Sequence, residues 1–190
     1  MTEPPVWEYR VWPAFAENLT ARLKSSFSFD AELPRTDTYF VVEGETGKQA
    51  KLRGNDSLDI KVCLNCQTGL ERWQTVLNSV PPVAEADMGR LRQLYPQLAD
   101  ELATLSGVRQ AFGRFSVTAE VSKSRYLAAD ADGVRAEIAR IALQGQTYST
   151  FCLEHASADA LAKSVEALGF NKWPNTSYPA WLQAMVFPAC

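Results

Sequence analysis

Charged side chains recur two residues apart in several segments whose other residues favour β-strands. Side chains two positions apart on a strand point to the same face of a sheet. If these segments belong to one curved sheet, its concave face carries many fixed charges. Such a lining is costly to bury unless water or a counter-charged ligand fills the interior, so the pattern favours a site for a small, highly charged anion. The pairs are Glu8 with Arg10, Lys51 with Arg53, Asp59 with Lys61, Lys123 with Arg125, and Arg135 with Glu137.

The composition is that of a globular protein without a basic surplus. The chain has 190 residues, 46% of them hydrophobic, and a formal net charge of −3. This length predicts a single domain over 1–190. The mild negative charge argues against nucleic acid or an anionic membrane as a partner, and no apolar run reaches the roughly 20 residues that a membrane span needs. Because the start also lacks the features of a signal peptide, we expect a cytoplasmic protein.

The four cysteines do not form a recognisable metal motif. Cys63 and Cys66 make one CxxC pair, whereas a structural zinc site commonly has two such pairs. Cys152 and the single histidine, His155, could complete a site on paper, but their spacing does not demand one. We therefore expect reduced thiols, while a zinc or redox role for Cys63 and Cys66 stays open.

Hydrophobic periodicity divides the chain into strands and helices. The predicted strands span residues 6–12, 36–42, 48–53, 58–64, 69–77, 115–126, 134–143 and 147–154. The predicted helices span residues 15–27, 85–105, 157–168 and 178–186, with Pro96 kinking or dividing the second and Gly169 capping the third. This order predicts an α+β fold, an eight-stranded antiparallel β-barrel or tunnel with helices packed outside. Closure of the barrel would also remove exposed strand edges.

Several short sequences follow one another in a distinctive order along almost the whole chain. They are WEYRVW, RTDTYF, KLR, LDIKV, LERW, SKSRYL, VRAEIARI and FCLEHAS, followed by ALGF and TSYPAWL. In this order they resemble the CYTH superfamily of class IV adenylyl cyclases and thiamine triphosphatases, also called triphosphate tunnel metalloenzymes. The resemblance implies a tunnel of eight strands in which basic residues bind a triphosphate and acidic residues bind Mg²⁺ or Mn²⁺. Arginine forks suit phosphate oxygens, and hard divalent cations prefer carboxylates.

The resemblance also implies roles for individual side chains. The implied phosphate-binding residues are Arg10, Lys51, Arg53, Lys61, Lys123 and Arg125. The implied metal ligands are Glu8, Glu71, Glu137 and Glu154, and the implied catalytic residues are Glu8 and Arg10. Val6, Trp73 and Cys152 stand where the family has carboxylates, which depletes the metal-binding half of the site. Arg10 stands where the family has a lysine, and it cannot act as a general base because arginine stays protonated in proteins.

Two functions remain open at this point. The first is a divalent-metal-assisted phosphohydrolase that acts on triphosphates, and the second is a non-catalytic module that binds a phosphorylated anion. The four glutamates could equally be internal partners of the basic residues, and the basic residues could be solvated surface charges. We expect Asp37 and Tyr39 to orient the second strand rather than to contact substrate. The partner would be a small phosphorylated anion, and the oligomeric state stays open, a homodimer included.

Overall fold

Eight antiparallel strands close into one barrel in the computed structural model, which describes residues 4–98 and 102–188. The strands are β1 (Val6–Val11), β2 (Leu33–Val41), β3 (Lys48–Arg53), β4 (Ser57–Gln67), β5 (Leu70–Ser79), β6 (Val117–Ala129), β7 (Arg135–Leu143) and β8 (Gln146–His155). Around the barrel they follow the order β1-β5-β4-β3-β2-β6-β7-β8, and β8 pairs with β1 to close the ring. The predicted barrel is confirmed.

Five α-helices occur among the described residues. They are α1 (Glu17–Ser26), α2 (Glu85–Leu94), α3 (Leu105–Gly113), α4 (Ala158–Ala167) and α5 (Tyr178–Val186). Gly169 follows α4 with a φ of +69°, a conformation that favours glycine, so the predicted cap is confirmed. A Cβ atom at Gly169 would also collide with the guanidinium of Arg22 on α1. None of the described helices is long and apolar enough to cross a membrane.

The predicted helix over 85–105 is only partly correct. Its first half is α2, which ends at Leu94, two residues before Pro96, because proline lacks the N–H that would continue the helix. A separate helix, α3, then begins at Leu105 and extends past the predicted end to Gly113. Thr104 determines where α3 starts, since its hydroxyl accepts a hydrogen bond from the backbone N–H of Gly107 at 3.0 Å. Residues 99–101 lie outside the described residues.

The outer face of the barrel is apolar where helices cover it. Tyr9 of β1 packs in one cluster with Leu23 of α1, and the same cluster extends to α4. Ile60 of β4 packs in a second cluster with Phe112 of α3. Because side chains alternate along each strand, burying these residues outside directs the charged pairs inward.

The inside of the barrel has an apolar end and a charged region. On β2, Val41 and Tyr39 lie on the same face as Asp37, and both belong to an apolar cluster with residues of α5. Trp181 of α5 stacks on Trp12 at a ring distance of 4.1 Å, which anchors this helix against the barrel. The charged side chains therefore occupy the rest of the interior.

Candidate functional site

One cavity of about 450 Å³ lies inside the barrel. The six basic residues implied by the sequence, Arg10, Lys51, Arg53, Lys61, Lys123 and Arg125, all line it, together with Arg35 and Arg135. The carboxylates among the lining residues are Glu8, Asp30, Glu137 and Glu154. Eight arginine and lysine side chains thus face four carboxylates, in a volume typical of a small-molecule site. Burial and the charge of Lys51 hold the pKa of Lys123 well below its ordinary value.

The strand register fixes which charged groups meet. Glu8 on β1 lies directly opposite Glu154 on β8, and Arg10 lies opposite Cys152. Cys152 in turn lies opposite Glu137 on β7. Opposite residues on neighbouring antiparallel strands share a face, so these side chains converge on one wall of the cavity.

Arg10 is the centre of this wall. Its Nε donates to Oε1 of Glu8 at 3.0 Å, and its Nη1 donates to Oε1 of Glu137 at 2.9 Å. Its guanidinium also lies 4.8 Å from the ring centre of Tyr178, the first residue of α5. The arginine side chain is only 7% exposed, so these contacts hold a buried charge in one orientation.

These contacts change the ionisation of both carboxyls. Burial raises the pKa of Glu8, but the charges of Arg10 and Lys61 outweigh it and hold this pKa below its ordinary value. Burial is likewise outweighed at Glu137, where Arg10 and Lys123 lower the pKa to about 2. Both carboxyls are therefore ionised at neutral pH and act as partners of Arg10.

Another buried carboxylate, that of Asp37 on β2, holds the basic side chains on the opposite side of the site. Asp37 is completely buried, and it forms ion pairs with Arg35 at 2.7 Å, Lys123 at 2.9 Å and Lys51 at 3.7 Å. Although burial opposes ionisation, the charges of Lys123 and Lys51 hold the pKa of Asp37 well below its ordinary value. Tyr39 accepts a hydrogen bond from Nζ of Lys123 at 2.6 Å. Asp37 thus orients three cations, a larger role than the predicted one of orienting a strand.

The neighbouring strands repeat this arrangement on a smaller scale. Asp59 is also completely buried, and its Oδ2 accepts a hydrogen bond from Nε of Arg53 at 2.9 Å. Burial lowers the pKa of Lys51 to about 8 even though Asp59 and Asp37 attract its charge. Lys51 therefore loses its proton more easily than an exposed lysine does.

The four implied metal ligands are divided between different environments. Glu8 and Glu154 come together with Cys152, and one ligand atom from each of the three lies within 4.8 Å of the others. Glu137 is held by Arg10 and, at 3.5 Å, by Arg125. Glu71 lies opposite Glu8 on β5 but does not line the cavity, and its carboxylate accepts a hydrogen bond from Nε1 of Trp73 at 2.9 Å.

The group Glu8–Cys152–Glu154 has a donor set suited to a divalent cation. Two carboxylates and one thiol converge there, and Glu154 also accepts a hydrogen bond from Arg135 at 2.6 Å. Burial raises the pKa of Glu154, and Lys61 only partly offsets this effect. A cation at this position would relieve the repulsion between Glu8 and Glu154, so these residues fit a metal ion.

Sequence reasoning missed several residues of the site. Arg35 stands two residues before Asp37, so the same pattern could have found it, whereas Arg135 is one of the charge pairs of the pattern but has no assigned role in the site. Tyr178 lies in the segment TSYPAWL, but no role could be assigned to it because it reaches the cavity only through the packing of α5. Cys152 was interpreted as a lost carboxylate, but it lies in the cavity wall with Glu8 and Glu154.

The CxxC pair lies on β4. The sulfur atoms of Cys63 and Cys66 are 4.0 Å apart, and both cysteines are free. Cys152 and His155 do not join them, since the single cluster of three metal-ligating groups in residues 4–98 and 102–188 is Glu8–Cys152–Glu154. Nδ1 of His155 instead accepts a hydrogen bond from the backbone N–H of Ser157 at 2.9 Å, just before α4.

Comparison with known proteins identifies the fold. The sequence matches no family model and no curated protein. Among solved structures, HpAC1 of Hippeastrum, which is described as an adenylyl cyclase candidate with a dominant triphosphatase activity, is 12% identical with a TM-score of 0.58, over 97% of this chain and 96% of that one. The PH1819 protein of Pyrococcus horikoshii is 10% identical with a TM-score of 0.52, over 95% and 98%. The bh2851 protein of Bacillus halodurans, which is described as an adenylate cyclase candidate, is 8% identical with a TM-score of 0.52, over 96% of both chains. At such low identity these similarities show the fold alone.

Proposed function

We propose that this protein, which has the fold of the CYTH adenylyl cyclases and triphosphatases, binds a triphosphate or a similar polyphosphate anion inside its barrel. The observation that carries the proposal is the convergence of eight arginine and lysine side chains on one cavity of about 450 Å³. A triphosphate carries about four negative charges and needs several strong donors to replace its hydration. With the buried Asp37 and Asp59 added to the four lining carboxylates, six acidic side chains face eight basic ones, which leaves a small positive excess for such a ligand.

The buried carboxylates support this reading. Asp37 and Asp59 are completely buried, and they hold their arginine and lysine partners in the interior before any ligand arrives. A ligand then needs less ordering of long side chains, each of which would cost about 0.5–1.5 kcal/mol to immobilise. The dominant triphosphatase activity named for HpAC1 agrees with a polyphosphate as the ligand class.

Calorimetric titration tests the proposal. Tripolyphosphate, ATP and thiamine triphosphate are each titrated into the full-length protein, with Mg²⁺ and with a chelator. We expect at least tripolyphosphate to bind, and Lys61→Gln to weaken binding by about tenfold or more, as the loss of a charged hydrogen bond would. Lys163→Gln on the exposed face of α4 is the matched control and should leave the affinity unchanged. Failure of all three anions to bind in both conditions would overturn the proposal.

A second candidate function is hydrolysis of the bound anion with a divalent cation. It is favoured by the position of Glu8, Cys152 and Glu154 in the wall of the same cavity. These residues would hold the ion, which would neutralise negative charge on the phosphate oxygens. Arg10 would position a phosphate through its guanidinium, which stays charged throughout, and Glu8 would orient Arg10. The CYTH resemblance implies Mg²⁺ or Mn²⁺ as the ion.

Phosphate release separates the hydrolase from the non-catalytic module. The three anions are incubated with the protein and with Mg²⁺, Mn²⁺ or Zn²⁺, and free phosphate is measured. Release that is lost in Glu8→Gln, while Glu43→Gln in the exposed loop after β2 keeps it, supports the hydrolase. If the anions bind but no phosphate is released from any of them, the non-catalytic binding module is the supported function.

We also propose the remaining properties from the sequence. Residues 1–190 form one domain, and the protein acts in the cytoplasm on a small phosphorylated anion rather than on nucleic acid or a membrane. Light scattering on the purified protein, with and without tripolyphosphate, measures the oligomeric state and tests for a homodimer.

A further inference from the structure

Cys152 occupies a position in the cavity that a simple packing role does not require. It is 1% exposed on β8, with Glu154 two residues later on the same face and Glu8 opposite Glu154 on β1. One ligand atom of each residue lies within 4.8 Å of the other two, and all three side chains line the cavity. The thiol is thus fixed by strand register at the point where two carboxylates meet.

The donors that remain available are those a small cation could use. Oε1 of Glu8 accepts from Arg10, and Oε2 of Glu154 accepts from Arg135. Among the described hydrogen bonds, neither carboxylate uses its other oxygen. The sulfur of Cys152 donates to the backbone carbonyl of Leu153 at 3.7 Å, a hydrogen bond that deprotonation of the thiol would remove. One oxygen from each carboxylate and this sulfur are then the donors left for a common ion, and the open cavity beside them leaves a position for water or a phosphate oxygen.

A thiol in this set changes which cation is preferred. Mg²⁺ demands oxygen ligands in near-octahedral geometry and gives up its waters reluctantly. Thiolate ligands favour Zn²⁺ and similar borderline cations, and zinc sites that do chemistry commonly have three protein ligands and one open position. Three protein donors beside an open cavity match the second description rather than the first.

We propose that Glu8, Cys152 and Glu154 form a site for a thiophilic divalent cation of the Zn²⁺ class, and that Cys152 sets this preference over Mg²⁺. When the ion binds, the S–H bond of Cys152 breaks, a sulfur–metal bond forms, and the proton goes to solvent without any change of oxidation state. The inference rests on the proposed function only in taking the cavity as the binding site, since it concerns the ion without phosphate.

Cobalt spectroscopy tests this site directly. Co²⁺ is titrated into full-length protein in which Cys63, Cys66 and Cys190 are replaced by serine, under a phosphine reductant and without phosphate. We expect a thiolate-to-cobalt charge-transfer band in the near ultraviolet that saturates at one ion per chain. Zn²⁺ should abolish the band at equimolar concentration, and a thousandfold excess of Mg²⁺ should leave it.

Variants at Cys152 make the result specific. Adding Cys152→Ser to the same background should remove the band, with near-ultraviolet circular dichroism used to verify folding. Cys152→Asp restores an all-carboxylate site, so the affinity ratio of Zn²⁺ to Mg²⁺, measured by competition, should fall by about tenfold or more.

Three results would overturn the proposal: no charge-transfer band in the folded Cys152-only protein, an equal band after Cys152→Ser, or displacement of Co²⁺ by Mg²⁺. Because tripolyphosphate binding in a chelator is measured separately, loss of the cobalt site with intact anion binding would reject this inference alone. Loss of anion binding with an intact band would reject only the proposed function.

Discussion

Glu137→Gln distinguishes an internal ion pair from a metal ligand. The substitution keeps the shape of the side chain but removes the charge that Arg10 contacts at 2.9 Å and Arg125 at 3.5 Å. The pKa of Glu137 falls from an ordinary 4.5 to about 2, which corresponds to about 3 kcal/mol of stabilisation at neutral pH. We therefore expect the free energy of unfolding to decrease by about 3 kcal/mol at pH 7.

The pH dependence of this loss follows from its sign. Because the folded pKa of Glu137 is depressed, its contribution is complete above the unfolded pKa of about 4.5 and disappears as the pH falls towards about 2. Wild type and Glu137→Gln should consequently differ most at pH 7 and converge between pH 5 and 2. Urea unfolding at several pH values measures this, with Glu43→Gln at an exposed loop position as the control.

The same substitution should strengthen anion binding. If a bound phosphate lies about 8 Å from the removed charge, the gain is about 2 kcal/mol at an effective dielectric constant of about 20, or about thirtyfold in the Kd of tripolyphosphate. A metal ligand would behave oppositely, since its loss would weaken metal-dependent binding. Unchanged stability together with unchanged or weaker tripolyphosphate binding in a chelator would refute the assignment of Glu137 as the partner of Arg10.

Three further substitutions test other parts of the site. Because the pKa of Lys51 is about 8, raising the pH from 7 to 9 removes most of its charge and should weaken tripolyphosphate binding. Calorimetry at both pH values should show a loss of affinity up to about tenfold larger in wild type than in Lys51→Arg, which stays charged. Equal pH dependence of the two proteins would contradict this prediction. Asp37→Asn should lower the free energy of unfolding in urea by about 3–5 kcal/mol, and by less in saturating tripolyphosphate, which supplies the lost negative charge. An equal loss of stability with and without tripolyphosphate would count against a shared electrostatic site. Trp181→Ala should cost about 3–5 kcal/mol by the same assay because it removes the stack on Trp12, and a loss under 1 kcal/mol would show that α5 is anchored otherwise.

The barrel could be predicted from the sequence because side chains alternate every two residues along a strand, so apolar residues face the outer core while charged residues face the cavity. Alternation along β1 directs Tyr9 to the outer core and Arg10 to the cavity, and the same alternation holds in the strands of Lys51, Lys123 and Glu137. A two-residue spacing of charges could therefore indicate both a strand and an inner face. The resemblance to a known family then implied that eight strands surround a common interior, while their order around it is seen only in the structure.

Other features depend on contacts that a linear pattern does not encode. Asp37 acts as a hub only because β2 lies between β3 and β6, which bring Lys51 and Lys123 to its two sides. Tyr178 reaches the cavity through the docking of α5, and α3 starts where Thr104 caps it. No role could be assigned to Cys152 from the sequence, because the family has a carboxylate at this position and a cysteine there was counted only as the loss of an oxygen ligand. A thiol can, however, itself be a metal ligand.

The carboxylates of the interior fall into two groups with opposite effects on anion affinity. Asp37 and Asp59 are fully buried and lie outside the cavity lining, so they hold cations in place without meeting the ligand. Glu8 and Glu137 line the cavity and bind the same guanidinium that a phosphate would need, that of Arg10. An entering anion must therefore compensate for weakened ion pairs in a site of low dielectric constant, where each pair is worth more than at the surface. On the proposed function, we expect a singly or doubly charged phosphate to gain too few contacts for this exchange, whereas a triphosphate, with about four charges, would engage Arg10 and the opposite cations together. If the cavity binds a polyphosphate as proposed, we expect selection by charge number to depend on the arrangement of the carboxylates as much as on the cations themselves.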